Sequence, residues 1–136
     1  MAALVPGYAA SSGDDELVLS ARNDGHFHII GAVNGTSVDF LVDTGASDIV
    51  LSPDDARSVG LDPRTLDFSR TYQTANGQGR GAPVTLRSLQ VGPLRLANQA
   101  ASVNRAEMPN SLLGMAFFRN VASFEIRGRN LFIRWR

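Results

Sequence analysis

The residues whose types and spacing are best suited to chemistry lie in the stretch FLVDTGASDIVLS, residues 40–52. There Asp43 stands between two apolar runs. These runs predict buried β-strands, and a carboxylate in such a place costs free energy unless another group pairs with it. Gly45 permits a tight turn after the first strand, and Thr44 can hold that turn by hydrogen bonds. Asp43 would thus be presented on a rigid backbone, which suits general acid–base chemistry.

Hydrolysis of a neutral amide without a metal or a covalent nucleophile needs two carboxylates. One takes a proton from water while the other donates a proton to the substrate carbonyl. Only one Asp-[Ser/Thr]-Gly triplet occurs in the 136 residues. We therefore expect the partner of Asp43 to be Asp43 of a second copy, related by a two-fold axis. The plainer alternative is a carboxylate that only caps a turn.

The composition excludes several kinds of chemistry. The chain has no cysteine, and all thirteen cationic side chains are arginines, which rules out thiol nucleophiles and lysine Schiff bases. Residues 1–67 hold eleven acids against three arginines, and residues 68–136 hold two against ten, so these halves carry −8 and +8. Without a recognition motif, this asymmetry favours attraction within one domain over nucleic-acid binding. No apolar run reaches the ~20 residues of a membrane span.

The hydrophobic pattern predicts one mostly β domain at residues 15–136, after a flexible lead at residues 1–14. Asn34-Gly35 predicts a type I′ hairpin turn, and Ser52-Pro53 predicts the start of a short helix that Gly60 ends. Residues 76–81 form a glycine-rich tip between two strands, and residues 111–119 are predicted to be a short apolar helix. The expected strands are residues 17–22, 26–33, 36–42, 49–51, 68–75, 83–91, 94–103, 123–126 and 131–135.

Three motifs carry a family resemblance: FLVDTGASDIVLS, the tip TANGQG and Leu112-Leu113-Gly114. Their order resembles that of retropepsin-like aspartic proteases, the single-lobe, homodimeric relatives of pepsin. The stretches HFHIIGAVNGTSVDFLVDTGAS and SLLGMAFFRNVASFEIRGRNL are similar to the bacterial branch of that clan. The resemblance covers residues 15–135. It implies a mostly β, closed, barrel-like acid protease fold with a single lobe and one or two short helices.

The resemblance also implies a function, partners and a location. It implies an endopeptidase that acts on polypeptide as a homodimer, without a cofactor or a metal. Members of the bacterial branch often carry an N-terminal membrane anchor and face the periplasm, so a periplasmic location and an anchor upstream of this chain are expected.

Carried over by position, the resemblance makes Asp43 the catalytic aspartate. Thr44 would join the hydrogen-bonded contact between the loops of two protomers, and Gly45 would offer its carbonyl to the substrate backbone. Leu112-Leu113-Gly114 would pack beneath the active-site loop, and residues 72–81 would form a mobile flap. The residues expected to bind substrate are Ala46, Asp48, Tyr72, Asn76 and Gly77.

This sequence departs from the retroviral enzymes at two places. The flap lacks their glycine and isoleucine pattern, and Arg134-Trp135-Arg136 does not match their interface strand. The glycine-rich tip is also consistent with a passive hairpin turn. It does not match a phosphate-binding loop, because it lacks the Lys-[Ser/Thr] ending and the following helix that such a loop needs.

The sequence also allows a second function. A catalytically silent or latent dimeric peptide-binding domain of the same fold would retain the barrel without cleaving peptide, although such a domain has no need of Asp43.

His26 and His28 have the spacing of ligands on one strand face. Without a third clustered donor, they are predicted to be structural or surface histidines rather than a metal site.

Overall fold

The structure, a computed structural model, describes residues 10–13, 15–74 and 77–136. Within these ranges the chain forms short strands, two short α-helices and one 3-10 turn at Pro63–Thr65. The helices are α1 (Pro53–Ser58) and α2 (Met115–Phe118). The strands are β1 (Ala10–Gly13), β2 (Glu16–Ser20), β3 (His28–Val33), β4 (Thr36–Val42), β5 (Ile49–Leu51), β6 (Arg70–Thr74), β7 (Gly77–Val91), β8 (Leu94–Asn104), β9 (Ser111–Leu113), β10 (Ser123–Arg127) and β11 (Asn130–Arg134).

Six of these strands close into a barrel. Their order is β3-β4-β9-β5-β8-β7, and pairing between the ends of β3 and β7 completes the closure. β6 extends beyond β7, while a second sheet has the order β1-β2-β11-β10, so residues 10–13 of the expected lead pair with β2. The prediction of a mostly β, barrel-like single lobe with short helices is confirmed. No helix in the described ranges is long and apolar enough to cross a membrane.

One apolar core joins the barrel to the second sheet. The alternating burial of β2 and β11 turns one face of that sheet inward, where it meets side chains from the barrel and α2. Sheet faces of this kind are stabilised by the apolar area that they remove from water. Fully buried members of this core include Leu19, Ile29, Phe40, Leu113, Phe117, Leu131 and Ile133.

Local sequence signals explain the turn before β4 and the helix after β5. Asn34 and Gly35 adopt φ values of 50° and 84°, so both lie in the left-handed region that a type I′ turn requires. The Ser52 Oγ accepts a hydrogen bond from the Asp55 backbone N–H at 3.0 Å, and Pro53 opens α1. Both predictions are confirmed.

The predicted helix at residues 111–119 is wrong in its first half. Ser111–Leu113 is strand β9, and helix α2 begins only at Met115. β9 lies between β4, to which it is parallel, and β5, to which it is antiparallel. A three-residue strand in the middle of a sheet is too short to display a period of two, so its apolar run cannot be distinguished from a helical turn by pattern alone.

The glycine-rich segment contributes to a strand as well as to a tip. Strand β7 begins at Gly77, earlier than the expected residue 83, and its first residues pair with β6 from Thr74↔Gly77 to Arg70↔Gly81. A Cβ on Gly81 would lie 3.0 Å from the ring carbon Cε1 of Tyr72, so glycine makes room for that ring. Ala75 and Asn76, and with them the predicted substrate contact of Asn76, lie outside the described residues.

His28 has a structural position. Its ring is buried, with Nε2 2.9 Å from Asp24 Oδ2 and Nδ1 3.5 Å from Asp39 Oδ1. Asp39 also receives two hydrogen bonds from the Arg22 guanidinium, at 2.7 and 3.2 Å. Hydrogen bonds from the His26 backbone N–H and the His28 ring lower the pKa of Asp24. This cluster holds the loop between β2 and β3 against β4.

The buried hydroxyl of Ser111 ties β9 to the start of α1. Its Oγ accepts from the Ser52 backbone N–H at 2.9 Å and donates to Asp55 Oδ2 at 2.5 Å. We expect Ser111→Ala to lower the free energy of unfolding by about 2 kcal/mol, because the Ser52 N–H is then buried without an acceptor. Urea denaturation measures the change. Ser58→Ala removes an exposed hydroxyl and is expected to cost less than about 0.5 kcal/mol, and equal costs would contradict this account.

Candidate active site

The Asp-Thr-Gly turn starts where β4 ends. The Asp43 backbone N–H donates to the Leu113 carbonyl of β9 at 3.1 Å, and the Asp43 carbonyl accepts from the Ala46 N–H at 3.1 Å. The carboxylate itself accepts a hydrogen bond on Oδ1 from the Gly45 N–H at 3.0 Å. Main-chain and side-chain atoms of Asp43 are therefore both held, while the carboxylate stays partly exposed.

The segment that follows β9 supports this turn from below. Backbone N–H groups of Met115 and Ala116 donate to the carbonyls of Ala46 and Ser47, both at 2.8 Å. Gly114 lies so close to the loop that an added Cβ would be 2.3 Å from the Asp48 carbonyl oxygen and 2.6 Å from that of Ala46. A side chain at position 114 therefore cannot fit without movement of the loop. Leu112-Leu113-Gly114 thus takes the position beneath the loop that the resemblance implied.

A cleft of about 570 Å³ lies beside Asp43. Of the predicted site residues, the structure brings Asp43, Gly45, Ala46, Asp48 and Tyr72 to its wall. The other lining residues are Ser47, Val50, Arg70, Asn104, Met108 and Leu112.

Two predicted site residues do not line this cleft. Thr44 is exposed in the turn. Gly77 pairs with Thr74 near the end of the β6–β7 hairpin, at a φ of 114° that favours glycine. Their predicted roles in dimer contact and substrate binding stay predictions.

An ion pair forms one side of the cleft. Arg70 Nη1 lies 2.9 Å from Asp48 Oδ2 and donates a longer hydrogen bond, 3.3 Å, to the Ser102 hydroxyl. Asp48 is the second acid at the cleft wall, and its charge is offset by the guanidinium. Among the lining residues that the structure describes, Asp43 is thus the one carboxylate without a cationic partner.

Tyr72 also lines the cleft. Its hydroxyl donates to the Asn104 side-chain oxygen and lies 3.3 Å from the Arg80 carbonyl. Burial raises the pKa of the Tyr72 phenol, the positive charge of Arg70 opposes this rise, and the negative charge of Asp48 adds to it. The phenol is therefore protonated throughout the acidic and neutral range and remains a hydrogen-bond donor.

The sequence reasoning missed Arg70, Asn104 and Met108. A signal for Arg70 was available, because residues 70 and 72 are two apart on one strand and so project from the same face. Asn104 and Met108 come from the end of β8 and the loop after it, and local sequence gives no sign that they meet β6. The pairing of β7 with both β6 and β8 brings Asn104 beside Tyr72 at the cleft.

The closed barrel and the supported Asp-Thr-Gly turn define a retropepsin-like fold. A family model described as "gag-polyprotein putative aspartyl protease" matches residues 29–120, which include the turn, the hairpin and β9. The chain belongs to this family of retropepsin-like aspartic proteases.

Two solved structures share this fold. A retropepsin-like aspartic protease from Rickettsia conorii superposes with a TM-score of 0.80 and 38% identity, over 88% of this chain and 90% of that one. The protease of EIAV, solved with the inhibitor HBY-793, shares the fold with a TM-score of 0.60 and 16% identity, over 80% of this chain and 100% of that one.

Two curated relatives match in sequence. An uncharacterized protein from the cobV 5′ region of Sinorhizobium sp is 40% identical over 98% of this chain, and the uncharacterized protein RP867 of Rickettsia prowazekii (strain Madrid E) is 39% identical over 93%. The matches cover 60% and 54% of those proteins. The chain thus spans little more than half the length of these relatives.

Proposed function

We propose that this chain is an aspartic endopeptidase that becomes active as a homodimer, with Asp43 of each protomer forming a shared dyad. The observation that carries the proposal is that only one of the two acids at the cleft wall has a cationic partner. Asp43 is presented on a supported turn, whereas Asp48 is neutralised by Arg70. Because peptide hydrolysis of this type needs two carboxylates, the second must come from another molecule.

The chemistry follows from bringing two carboxyl groups together. Two such groups in contact cannot both ionise, so the pair holds one proton, and its titration belongs to the pair rather than to either residue. The ionised carboxylate takes a proton from a water molecule as that water attacks the peptide carbonyl carbon. The protonated carboxyl donates to the carbonyl oxygen, which gives a gem-diol without a covalent bond to the enzyme.

In this proposal the elements around Asp43 contact the partner protomer or the substrate. The exposed Thr44 would contact the turn of the partner protomer. Gly45 and Ala46 would align the substrate backbone, and the β6–β7 hairpin with Tyr72 would close over an extended peptide and exclude water. The periplasmic location and the upstream membrane anchor that the resemblance implies stay predictions.

A digestion experiment tests the proposal. The purified chain is incubated with a peptide library between pH 4 and 7, and its mass is measured by sedimentation at two concentrations. We expect specific activity to rise with the fraction of dimer, because a monomer holds half of the dyad. Chelator should change nothing. Activity that is independent of concentration in a monomeric sample would contradict the dimer, and binding without cleavage would favour the silent peptide-binding domain.

A further inference from the structure

A second cavity lies on the far side of the Asp48–Arg70 ion pair. This outer cavity has a volume of about 700 Å³ and shares Asp48 and Arg70 with the cleft beside Asp43. Its remaining walls come from residues 83–85 of β7, residues 99–101 of β8, Ala116 of α2, and Arg119 and Asn120 after that helix. The ion pair thus separates two adjoining spaces, of which only one contains Asp43.

The outer cavity has an excess of positive charge. Its ionisable lining residues are Asp48, Arg70 and Arg119, and the first two neutralise each other. Arg119 is exposed and has no ion-pair partner among the residues that the structure describes. The side-chain amides of Gln99 and Asn120 donate to the carbonyls of Ala100 and Ala116, each at 3.0 Å. The Arg119 guanidinium is therefore the cationic group at this cavity that no described carboxylate neutralises.

The main chain beside this cavity suits an extended peptide. β5 pairs with β8 only at Ser102 and Val103, so within the described chain residues 99–101 of β8 have a strand partner on the β7 side alone. An open strand edge is a surface to which an extended peptide can add main-chain hydrogen bonds. This edge favours a polypeptide over a small free anion as the occupant.

We propose that the outer cavity is an accessory subsite that binds an acidic side chain of the polypeptide substrate, with Arg119 as its ion-pair partner. The inference rests on the proposed function, because it supposes that one peptide occupies the cleft and continues past the ion pair. Charge decides the preference: a glutamate or aspartate meets an unpaired guanidinium, whereas a lysine meets two arginines and one carboxylate that is already paired.

The test compares peptides that share one cleaved core and differ in a single flanking residue, Glu, Gln or Lys, placed in turn at each position on both sides. At one position we expect kcat/KM to be about threefold higher for Glu than for Gln, as for an exposed ion pair, and to fall with added salt. Arg119→Gln should abolish this preference, while Arg119→Lys should keep it. Arg95→Gln, a change at an exposed arginine outside both cavities, should also keep it.

The outcomes separate this inference from the proposed function. If Arg119→Gln keeps the Glu preference of the unmodified protein, or if the unmodified protein shows no Glu preference at any position, the subsite is overturned although cleavage itself continues. Binding of a fluorescent Glu peptide to Asp43→Asn, measured by anisotropy, requires no cleavage. If no peptide is cut but Arg119-dependent binding persists, the subsite stands and the protease proposal fails.

Discussion

Replacement of Asp43 by asparagine is expected to lower kcat/KM for a cleaved peptide by about 10³-fold or more, because it removes the carboxyl groups that take a proton from water and donate a proton to the peptide carbonyl. The fold should persist. Asparagine keeps an oxygen in the position that accepts the Gly45 N–H, so the turn retains the 3.0 Å hydrogen bond seen for the carboxylate. Cleavage rates are measured with one peptide, and circular dichroism with thermal unfolding checks the fold.

Mixing the two proteins tests whether the dyad is shared. If each active site takes one Asp43 from each protomer, only wild-type homodimers cleave. After subunit exchange with an equal amount of Asp43→Asn, random pairing then lowers the activity per wild-type protomer to about one half. Asp54→Asn, a change at an exposed acid of α1, is the matched control and should cause no such loss. Unchanged activity per wild-type protomer in the Asp43→Asn mixture would show that one chain suffices.

Gly114→Ala is expected to have the largest effect on the stability of the site. The added methyl group would meet the carbonyl oxygens of Asp48 and Ala46 at 2.3 and 2.6 Å, and both belong to the backbone. The loop cannot move away without loss of the Met115 N–H hydrogen bond to Ala46. We expect the free energy of unfolding to fall by about 3 kcal/mol, the upper part of the range for overpacking, and cleavage to fall with it.

Urea denaturation measures that change, and amide hydrogen exchange at Gly45 and Ala46 locates it. Gly128→Ala is the matched control, since a Cβ there meets nothing within 4 Å but the residue has a φ of +59°. Its expected cost is about 1 kcal/mol, from backbone conformation alone. If both variants lose the same stability, or if exchange at the Asp-Thr-Gly turn is unchanged in Gly114→Ala, contact with the loop is not the reason for glycine at position 114.

Sequence-based predictions were correct where a residue and the group that it contacts lie in the same short segment. The turn at Asn34-Gly35 and the cap of α1 by Ser52 need only neighbouring residues, since backbone torsion and a hydrogen bond three residues away decide them. Both could be stated correctly before any fold was known. The tight turn at Gly45 was expected as well, but the hydrogen bond from the Gly45 N–H to the Asp43 carboxylate was not, because Thr44 was expected to hold that turn.

Predictions failed or were missing where the partner lies far along the chain. The run at residues 111–113 was expected to be helical, and it is a strand because β4 and β5 pair with it on both sides. Arg70 was not expected at the cleft, and its place there depends on Asp48, which is 22 residues away in sequence. Apolar content and local propensity do not encode such pairings.

The sequence by itself determined the acid, the turn that presents it and the alternating pattern of a mostly β domain, because torsion preferences and burial act over a few residues. Tertiary structure alone decided that β3 and β7 close the barrel, that Gly114 abuts the Asp-Thr-Gly loop and that an ion pair divides two cavities. These contacts join segments distant in sequence, and their geometry is set when the whole core packs.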